Sequence, residues 1–408
     1  KLLSIRLSIG ELGLSGILFI TILSYITNLF VSHGFIHNSI FLAIGLFAFF
    51  LILKKRLFRK KIKLILLVSS VLFIGILMYK THDDFFYYHF PYTVSLIEFK
   101  KIFGVGNLEH GFRTPSSIFY FNSLFYLPIL EKSLINSGAV YFSIFSNIFL
   151  IQKIFNQLKN KKYDFILILS LFSLLFINTI FYRLAEHGTD RSAQILFFLC
   201  VILVIDIFQN KKYLNETIEK LLIIFTLIVS IKSFYILYSL VLFLMYFKFY
   251  KLNYFFNFLK KFKVIKICIP MLIFMMIYSF SHSGCFLYPL SITCPEIIFW
   301  GYEKEKIIGF MNWYELWSKA GATPNYVVDN ILDYLKNFNW LSNWIDNYFF
   351  NKVSDFLGGI ILLSVIFIFF FIKLNKNKKK LIINKFSVIT YLLLFILAFE
   401  WFYNHPAL

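Results

Sequence analysis

The sequence predicts an all-α fold, a polytopic transmembrane helical bundle of about 10–12 spans with interfacial helices on its outer face. The chain has 408 residues, of which 59% are hydrophobic, and it contains 55 phenylalanines. Soluble domains are nearer ~45–50% apolar, so one water-surrounded core could not bury this surplus. The apolar residues also occur in runs of about 17–25, the length of a helix that crosses a bilayer.

The apolar runs place the predicted spans along the chain. We predict single spans near 12–32, 36–53, 62–79, 133–152, 163–182, 191–208, 264–280, 356–372 and 386–402. The run 220–247 is too long for one span and has Lys232 near its middle, which predicts two short helices that meet at a break. The run 116–130 is short and predicts an interfacial or re-entrant helix.

The positive charges indicate the direction of these spans. The net charge is +20, and most of the 41 Lys and Arg residues lie in short segments between apolar runs. These segments are 54–63, 153–162, 209–220, 248–266 and 373–385. Since basic loops stay in the cytoplasm, we predict that the intervening loops face outward. The outer segments are 80–115, 183–190, the break near 232, 281–355 and the tail after 402. The charge therefore reflects topology, and no nucleic-acid partner is expected.

The same pattern divides the chain into three segments. Residues 1–280 are predicted to form the transmembrane bundle, with a catalytic outer loop at 80–132. Residues 281–355 are predicted to form an extracytoplasmic loop subdomain, and residues 356–408 add C-terminal transmembrane helices. The chain begins with Lys and stops soon after an apolar run, so we expect the native termini to lie beyond it.

The loop 281–355 differs from the spans in composition, because it is rich in acids and aromatics. We predict amphipathic helices near 307–320 and 326–350. The tryptophans expected at the membrane interface are Trp300, Trp313, Trp317, Trp340 and Trp344. The loop also contains Cys285 and Cys294, and an oxidising compartment favours a disulfide between them. The other two cysteines, Cys200 and Cys268, lie in predicted spans and are expected to be free thiols.

Asp83 and Asp84 are the first candidates for chemistry. Ionisable residues near membrane depth cost several kcal/mol and tend to be functional. This pair directly follows a predicted span, with His82 and His89 close by in the sequence. Paired carboxylates can act as a general base or as ligands of a divalent metal. The alternative is a solvated loop start in which an aspartate caps the next helix.

Further ionisable residues of the outer segments are candidates for binding a substrate or a phosphate. They are His89, Glu109, His110, Arg113, Arg183, Glu186, His187 and Lys232. Arginine pairs bidentately with phosphate, and lysine binds it as a point charge. The alternatives are a polar turn at 106–113, a helix cap at Asp190, and a Lys232 that merely reaches the interface. No nucleotide-binding motif is present, so an activated substrate is expected from the lipid phase or from outside.

With Asp83-Asp84 in a large outer loop after an early span, the chain resembles the GT-C superfamily of integral-membrane glycosyltransferases. The resemblance implies a polyprenyl-phosphate-linked sugar donor and a lipid-linked or envelope glycan acceptor. It implies that Asp83 or Asp84 deprotonates the acceptor hydroxyl or binds a metal, in an inverting reaction. It also implies a bacterial inner membrane, with the active site facing the periplasm. The motif usually follows the first span of the family, whereas here it follows the third predicted span.

Two other functions remain open. An O-antigen polymerase or ligase would also use lipid-linked sugars, but it would depend on outer arginines and a histidine, so Arg113 or Arg183 would matter more than Asp83. A flippase or secondary transporter would need ionisable residues at mid-bilayer and repeated halves, and the sequence shows few of the former and no clear repeat.

Overall fold

The computed structural model describes most of the chain, and its helices are numbered here along the sequence. The described residues are 6–54, 56–77, 84–180, 188–209, 214–249, 262–295, 298–323, 326–374 and 385–406. The first nine helices are α1 (Ile9–Asn28), α2 (Phe35–Leu53), α3 (Arg56–Leu77), α4 (Phe90–Glu98), α5 (Ser117–Ser123), α6 (Gly138–Lys159), α7 (Phe165–Ile180), α8 (Asp190–Gln209) and α9 (Leu214–Ile231). The others are α10 (Ser239–Phe249), α11 (Ile265–Ser283), α12 (Lys304–Ser318), α13 (Ile331–Leu335), α14 (Leu341–Trp344), α15 (Ser354–Leu374) and α16 (Lys385–Asn404).

Short elements connect these helices. Two π-helical segments, Phe85–His89 and Ile345–Val353, precede α4 and α15. The 3₁₀ turns are Val105–Asn107, His110–Phe112, Lys132–Leu134, Ser233–Tyr238 and Ser291–Thr293. In the described residues the only sheet is an antiparallel pair, β1 (Ala322–Thr323) and β2 (Tyr326–Val327), with Ala322 opposite Val327. The predicted all-α class is therefore confirmed apart from this hairpin.

The chain forms two compact units. Unit 1 comprises Lys1–Ser233 and Leu259–Tyr288, and unit 2 comprises Phe234–Phe258 and Pro289–Leu408. This division differs from the three predicted segments, because the chain breaks at Lys232 and the residues that follow group with the C-terminal part. The break itself was expected from the apolar run. Helix α9 ends at Ile231, and a 3₁₀ turn follows Lys232.

In the described part of the chain, five helices are long and apolar enough to cross a membrane: α1, α2, α6, α8 and α11. Shorter apolar helical stretches occur in α3, α7, α15 and α16 and at 233–244. Along α2 only Asn38 is buried, and large side chains such as Ile36 and Phe47 are exposed. An apolar helix with this little protein cover needs an apolar environment.

One predicted span and one predicted interfacial helix differ from the structure. Helix α6 begins at Gly138 rather than near 133, because turns occupy 132–137 and the Gly138 amide donates to the Asn122 side chain over 2.8 Å. It then continues to Lys159, beyond the predicted end at 152. The run 116–130 forms only the seven-residue α5, and all of its residues are buried. An interfacial helix would expose one face, so α5 is instead an internal element of unit 1.

Helix α6 is central in unit 1, where it packs against α1, α3, α7 and α8. The approach of α1 depends on two glycines. A Cβ atom at Gly10 would lie 2.5 Å from the Phe149 backbone nitrogen, and one at Gly13 would overlap the Phe145 ring. Small residues permit this close backbone approach between apolar helices. Helix α1 starts with a capping box, in which the Ser8 amide donates to Glu11 over 2.6 Å.

Unit 2 has an aromatic core of its own. Trp340 and Trp344 are buried there with Ala320 and Tyr348. The predicted interfacial role of these two tryptophans was therefore wrong, since they fill the core rather than a membrane-facing belt. The predicted single helix over 326–350 was also wrong, because this stretch contains β2, α13, α14 and the start of a π helix. The helix expected near 307–320 corresponds to α12.

Candidate functional site

The helices of unit 1 bring distant charged residues together at two places. We call the first the Asp206 end, because the last turns of α8 lie there. Its ion pairs join Lys153 to Asp206 over 2.6 Å and Lys220 to Glu11 over 3.1 Å. The Ile9 amide also donates to the Gln152 side chain over 3.1 Å. These contacts connect the start of α1, the end of α6, the end of α8 and the start of α9.

The opposite helix termini form what we call the Asp190 end. Ser116 Oγ donates to the carbonyl of Ile231 at the end of α9 over 2.6 Å. Ser24 Oγ near the end of α1 donates to the carbonyl of Tyr120 in α5 over 2.7 Å. The Gly104 amide donates to the carbonyl of Ser281 near the end of α11 over 2.8 Å. This grouping of termini is the one that the predicted alternation of spans requires. Its assignment to the outer face stays a prediction.

Lys232 is ion-paired with Asp190 at this end. Lys232 follows α9 and Asp190 begins α8, so the pair joins two helices that pack closely along their lengths. Asp190 is half exposed and interacts electrostatically with His89 and Arg191. The sequence suggested Asp190 only as a helix cap, because its partner lies 42 residues away. Lys232, His89 and Asp190 therefore form one polar group.

Asp84 and His89 stand at the two ends of the π-helical segment, about one helical turn apart. His89 is buried, and its ring lies 5.1 Å from that of Phe119 and 4.4 Å from that of Tyr88. The segment also contacts the 3₁₀ turn His110–Phe112. Asp84 is therefore close in the chain to His89, and it lies at the same end of unit 1 as Asp190 and Lys232.

The Glu109 carboxylate contacts Nδ1 of the His110 ring, and Glu109 Oε1 accepts from the His110 amide over 2.8 Å. The His110 ring lies 5.2 Å from that of Tyr87 and 5.8 Å from that of Tyr88. Tyr88 covers Gly111 so closely that a Cβ atom there would lie 2.2 Å from the ring. Both Glu109 and His110 remain partly exposed. They are thus held by local contacts and could meet a ligand.

Arg113 lies beside α11. A Cβ atom at Gly106 would lie 2.8 Å from the His282 carbonyl oxygen and 3.3 Å from Arg113 Cγ. Because Gly106 has no side chain, the Arg113 side chain and the end of α11 can both approach its backbone. His282 is buried, and its Nδ1 lies 2.9 Å from the carbonyl oxygen of Phe112. Arg113 is consequently placed within a structured part of the Asp190 end.

A chain of hydrogen bonds runs from His282 to two tyrosines. Because a carbonyl only accepts, His282 Nδ1 donates to Phe112, and the neutral ring accepts at Nε2 from Tyr92 over 3.3 Å. Tyr92 then accepts from Tyr120 over 2.7 Å. Burial raises the pKa values of both tyrosines well above their usual range, so both keep their protons. Sequence analysis missed these tyrosines, because an isolated Tyr in an aromatic-rich chain carries no signal.

Several predicted site residues lie outside the described part of the chain. They are Asp83, Arg183, Glu186 and His187. The structure therefore pairs Lys232 with Asp190, on which His89 also acts electrostatically, and it places Asp84, Glu109, His110 and Arg113 in neighbouring elements of the same end. Among the described residues, no three His, Cys, Asp or Glu side chains are grouped so as to hold a metal. Of the cysteines, Cys285 and Cys294 are disulfide-bonded, whereas Cys200 and Cys268 are free and buried.

Comparisons with known proteins gave one family. The model of a family described as a domain of unknown function (DUF8201) matches residues 3–406, nearly the whole chain. No curated protein and no solved structure matches it.

Proposed function

The chain belongs to the DUF8201 family, and we propose that it is an integral-membrane glycosyltransferase of the bacterial inner membrane. In this proposal it transfers a sugar from a polyprenyl-phosphate donor to a lipid-linked or envelope glycan acceptor. The observation that carries the proposal is that carboxylate, imidazole and cationic groups from distant segments meet at the Asp190 end. The five long apolar helices and the bare apolar surface of α2 support the membrane location.

The sidedness of the proposal rests on the distribution of Lys and Arg. Lys153, Lys220 and Lys263 lie at the Asp206 end, and each belongs to a segment that is predicted to be cytoplasmic. The Asp190 end would then face the periplasm. A donor with its lipid tail in the bilayer could present its phosphate and sugar to this end.

The proposed reaction uses the groups at the Asp190 end in separate roles. The acceptor hydroxyl attacks the anomeric carbon, the bond from that carbon to the phosphate oxygen breaks, and polyprenyl phosphate leaves. Asp84 or Asp83 takes the hydroxyl proton, because a carboxylate at this position can act as a general base. Lys232 and Arg113 stabilise the negative charge that develops on the phosphate. An ammonium has three donors, so Lys232 can keep its bond to Asp190 and still bind a phosphate oxygen.

The test is a transfer assay on the purified full chain in vesicles. Polyprenyl phosphates carrying different radiolabelled sugars are the donors, and extracted envelope glycolipids are the acceptors. We expect Asp83→Asn or Asp84→Asn to abolish transfer while the protein stays folded. Asp206→Asn, at the other end of unit 1, is the matched control and should retain activity. Full activity in both Asp83→Asn and Asp84→Asn would rule out these residues as the general base.

A second function, that of an O-antigen polymerase or ligase, is favoured by the placement of Arg113. Such an enzyme would depend on an arginine and a histidine, and at Gly106 the Arg113 side chain lies near the backbone carbonyl of His282, whose ring bonds the Phe112 carbonyl. In the same assay, Arg113→Lys would then be inactive while Asp84→Asn stayed active. Movement of the labelled lipid across the vesicle without covalent change would instead indicate a flippase.

A further inference from the structure

Lys101 occupies an unusual position among the lysines at the Asp190 end. It follows α4 in the loop 99–104, yet its ammonium nitrogen is buried and has no hydrogen-bond partner in the described residues. The nitrogen lies 4.2 Å from the centre of the Tyr278 ring. A cation over an aromatic ring gains less free energy than burying an unpaired ammonium costs.

The loop that carries Lys101 is fixed to two helix ends. The Lys101 amide donates to the Asn28 carbonyl over 2.8 Å, and the Gly104 amide donates to that of Ser281 over 2.8 Å. The Asn28 side chain also approaches the Phe99 carbonyl at 3.4 Å. These bonds connect both sides of Lys101 to the ends of α1 and α11. The backbone of the loop at Lys101 is therefore held in place by the fold.

Lys101 borders a small cavity of about 20 Å³. The lining also includes Asn28, Tyr92, Tyr120 and His282, and none of the lining residues in the described part of the chain is acidic. A cavity needs roughly 10–15 Å³ to hold one water molecule, so this one has room for a single water or a single ligand atom. The tyrosine and histidine protons are already used in the hydrogen-bond chain to Phe112. Lys100 and Lys101 are the two lysines of the lining, and the Lys101 ammonium is the one that is buried without a hydrogen-bond partner in the described residues.

We propose that this cavity is an anion site, which receives one negatively charged acceptor atom against the Lys101 ammonium. The atom is either a monatomic anion such as chloride or a single oxygen of a phosphate group. The charge of Lys101, the lack of acidic lining and the size of the cavity all favour such a ligand. Burial lowers the pKa of Lys101 well below its usual range, and a bound anion would favour the charged form of the ammonium. The site does not depend on the proposed transferase function.

The test measures the unfolding temperature of the purified full chain in detergent. A dye that fluoresces on reaction with thiols reports unfolding, because Cys200 and Cys268 are free and buried. Chloride, inorganic phosphate and a short-chain prenyl phosphate are compared at equal ionic strength with a bulky sulfonate buffer. We expect at least one of them to raise the unfolding temperature of the wild type by a few degrees at saturation. A rise with chloride identifies a free ion, and a rise with prenyl phosphate alone identifies a lipid phosphate.

Two variants separate the site from general salt effects. Lys101→Met should abolish the anion-dependent rise, and Lys132→Met should keep it. Lys132 is a suitable control because it is exposed and pairs with Glu98 at 3.9 Å, away from the cavity lining. An equal rise in Lys101→Met, or no rise in the wild type with any of the three anions, overturns the proposal.

A bromide soak gives a result that does not require a variant. Crystals of the wild type in sodium bromide should show an anomalous peak within hydrogen-bonding distance of Lys101 Nζ. If Lys101→Met cannot be purified, this map and the wild-type titration decide the question. A map that shows bromide only elsewhere would contradict a site that accepts halides. The unfolding temperature measured with prenyl phosphate would then decide whether the site binds a phosphate oxygen, and no rise would refute the proposal.

Discussion

The two ends of unit 1 use charged residues differently. At the Asp206 end, Lys153 and Lys220 each pair with a carboxylate on another helix. At the Asp190 end, Lys232 pairs with a half-exposed aspartate beside His89, and Lys101 is buried against an aromatic ring. In the first arrangement the charges pair with one another and connect the helices. The second leaves donors available, which is what binding an anionic group requires.

The largest expected effect on activity comes from replacing one lysine at each end in two separate variants. If the Asp190 end holds the donor phosphate, Lys232→Met should lower transfer by about 100-fold, because one preorganised charge at the phosphate is lost. Lys220→Met should leave the rate per folded molecule unchanged and lower stability, because it leaves the buried Glu11 unpaired. Rates and unfolding temperatures of both variants check this. Equal losses of rate would mean that the two ends do not differ in function.

A pair of glycines in α1 tests how closely the helices must pack at the Asp206 end. Gly10→Ala places a Cβ atom 2.5 Å from the Phe149 backbone nitrogen, so we expect a destabilisation of about 1–3 kcal/mol. Gly16→Ala meets nothing within 4 Å, and it should be neutral or stabilising by up to about 1 kcal/mol. Thermal unfolding with the thiol-reactive dye measures both. A stable Gly10→Ala protein would show that α1 and α6 can separate without loss.

A buried histidine should make the Asp190 end sensitive to acid. His33 Nε2 lies 3.1 Å from the Ser24 carbonyl, and Nδ1 lies 2.7 Å from Ser123 Oγ. Burial, helped by the neighbouring His37, lowers the pKa of His33 from 6.5 to about 3. In the unfolded chain His33 binds a proton below pH 6.5, whereas in the folded protein it binds one only below about pH 3. Stability therefore falls as the pH decreases through this window.

The expected loss at His33 is about 1.4 kcal/mol for each pH unit below its unfolded pKa. Unfolding temperatures between neutral pH and mildly acidic pH should therefore fall less steeply in His33→Gln than in the wild type. The comparison of slopes is needed because the substitution also removes hydrogen bonds and changes stability at every pH. Identical slopes would mean that His33 is protonated in the folded protein.

The smallest effect is expected from a single ion pair at the Asp206 end. Lys153 and Asp206 are each about one-fifth exposed or less, so their pair is only partly screened by solvent. A double-mutant cycle with Lys153→Met and Asp206→Leu should give a coupling free energy of about 1 kcal/mol. A coupling near zero would show that helix packing alone holds this end together.

Local sequence predicted those parts of the fold that depend on runs of residues. The length of the apolar runs located the long helices, and a lysine inside one run located the break at Lys232. Bounds were less accurate where contacts decide them, as at Gly138, whose amide is bound by the distant Asn122. Trp340 and Trp344 were misplaced because an aromatic residue suits a membrane interface and a buried core equally well.

For the candidate site, the sequence by itself determined which segments are rich in ionisable residues, and it predicted that charge separates between the two ends of the helices. It could not determine which side chains meet. The partner of Lys232 is Asp190 in another helix, and the cavity at Lys101 is lined by side chains of α1, α4, α5 and α11. Hydropathy and local charge are properties of consecutive residues, whereas these contacts depend on how helices pack. Only the tertiary structure therefore decided that the ammonium of Lys101, a lysine unremarkable in the sequence, is buried with no counter-charge among the described residues.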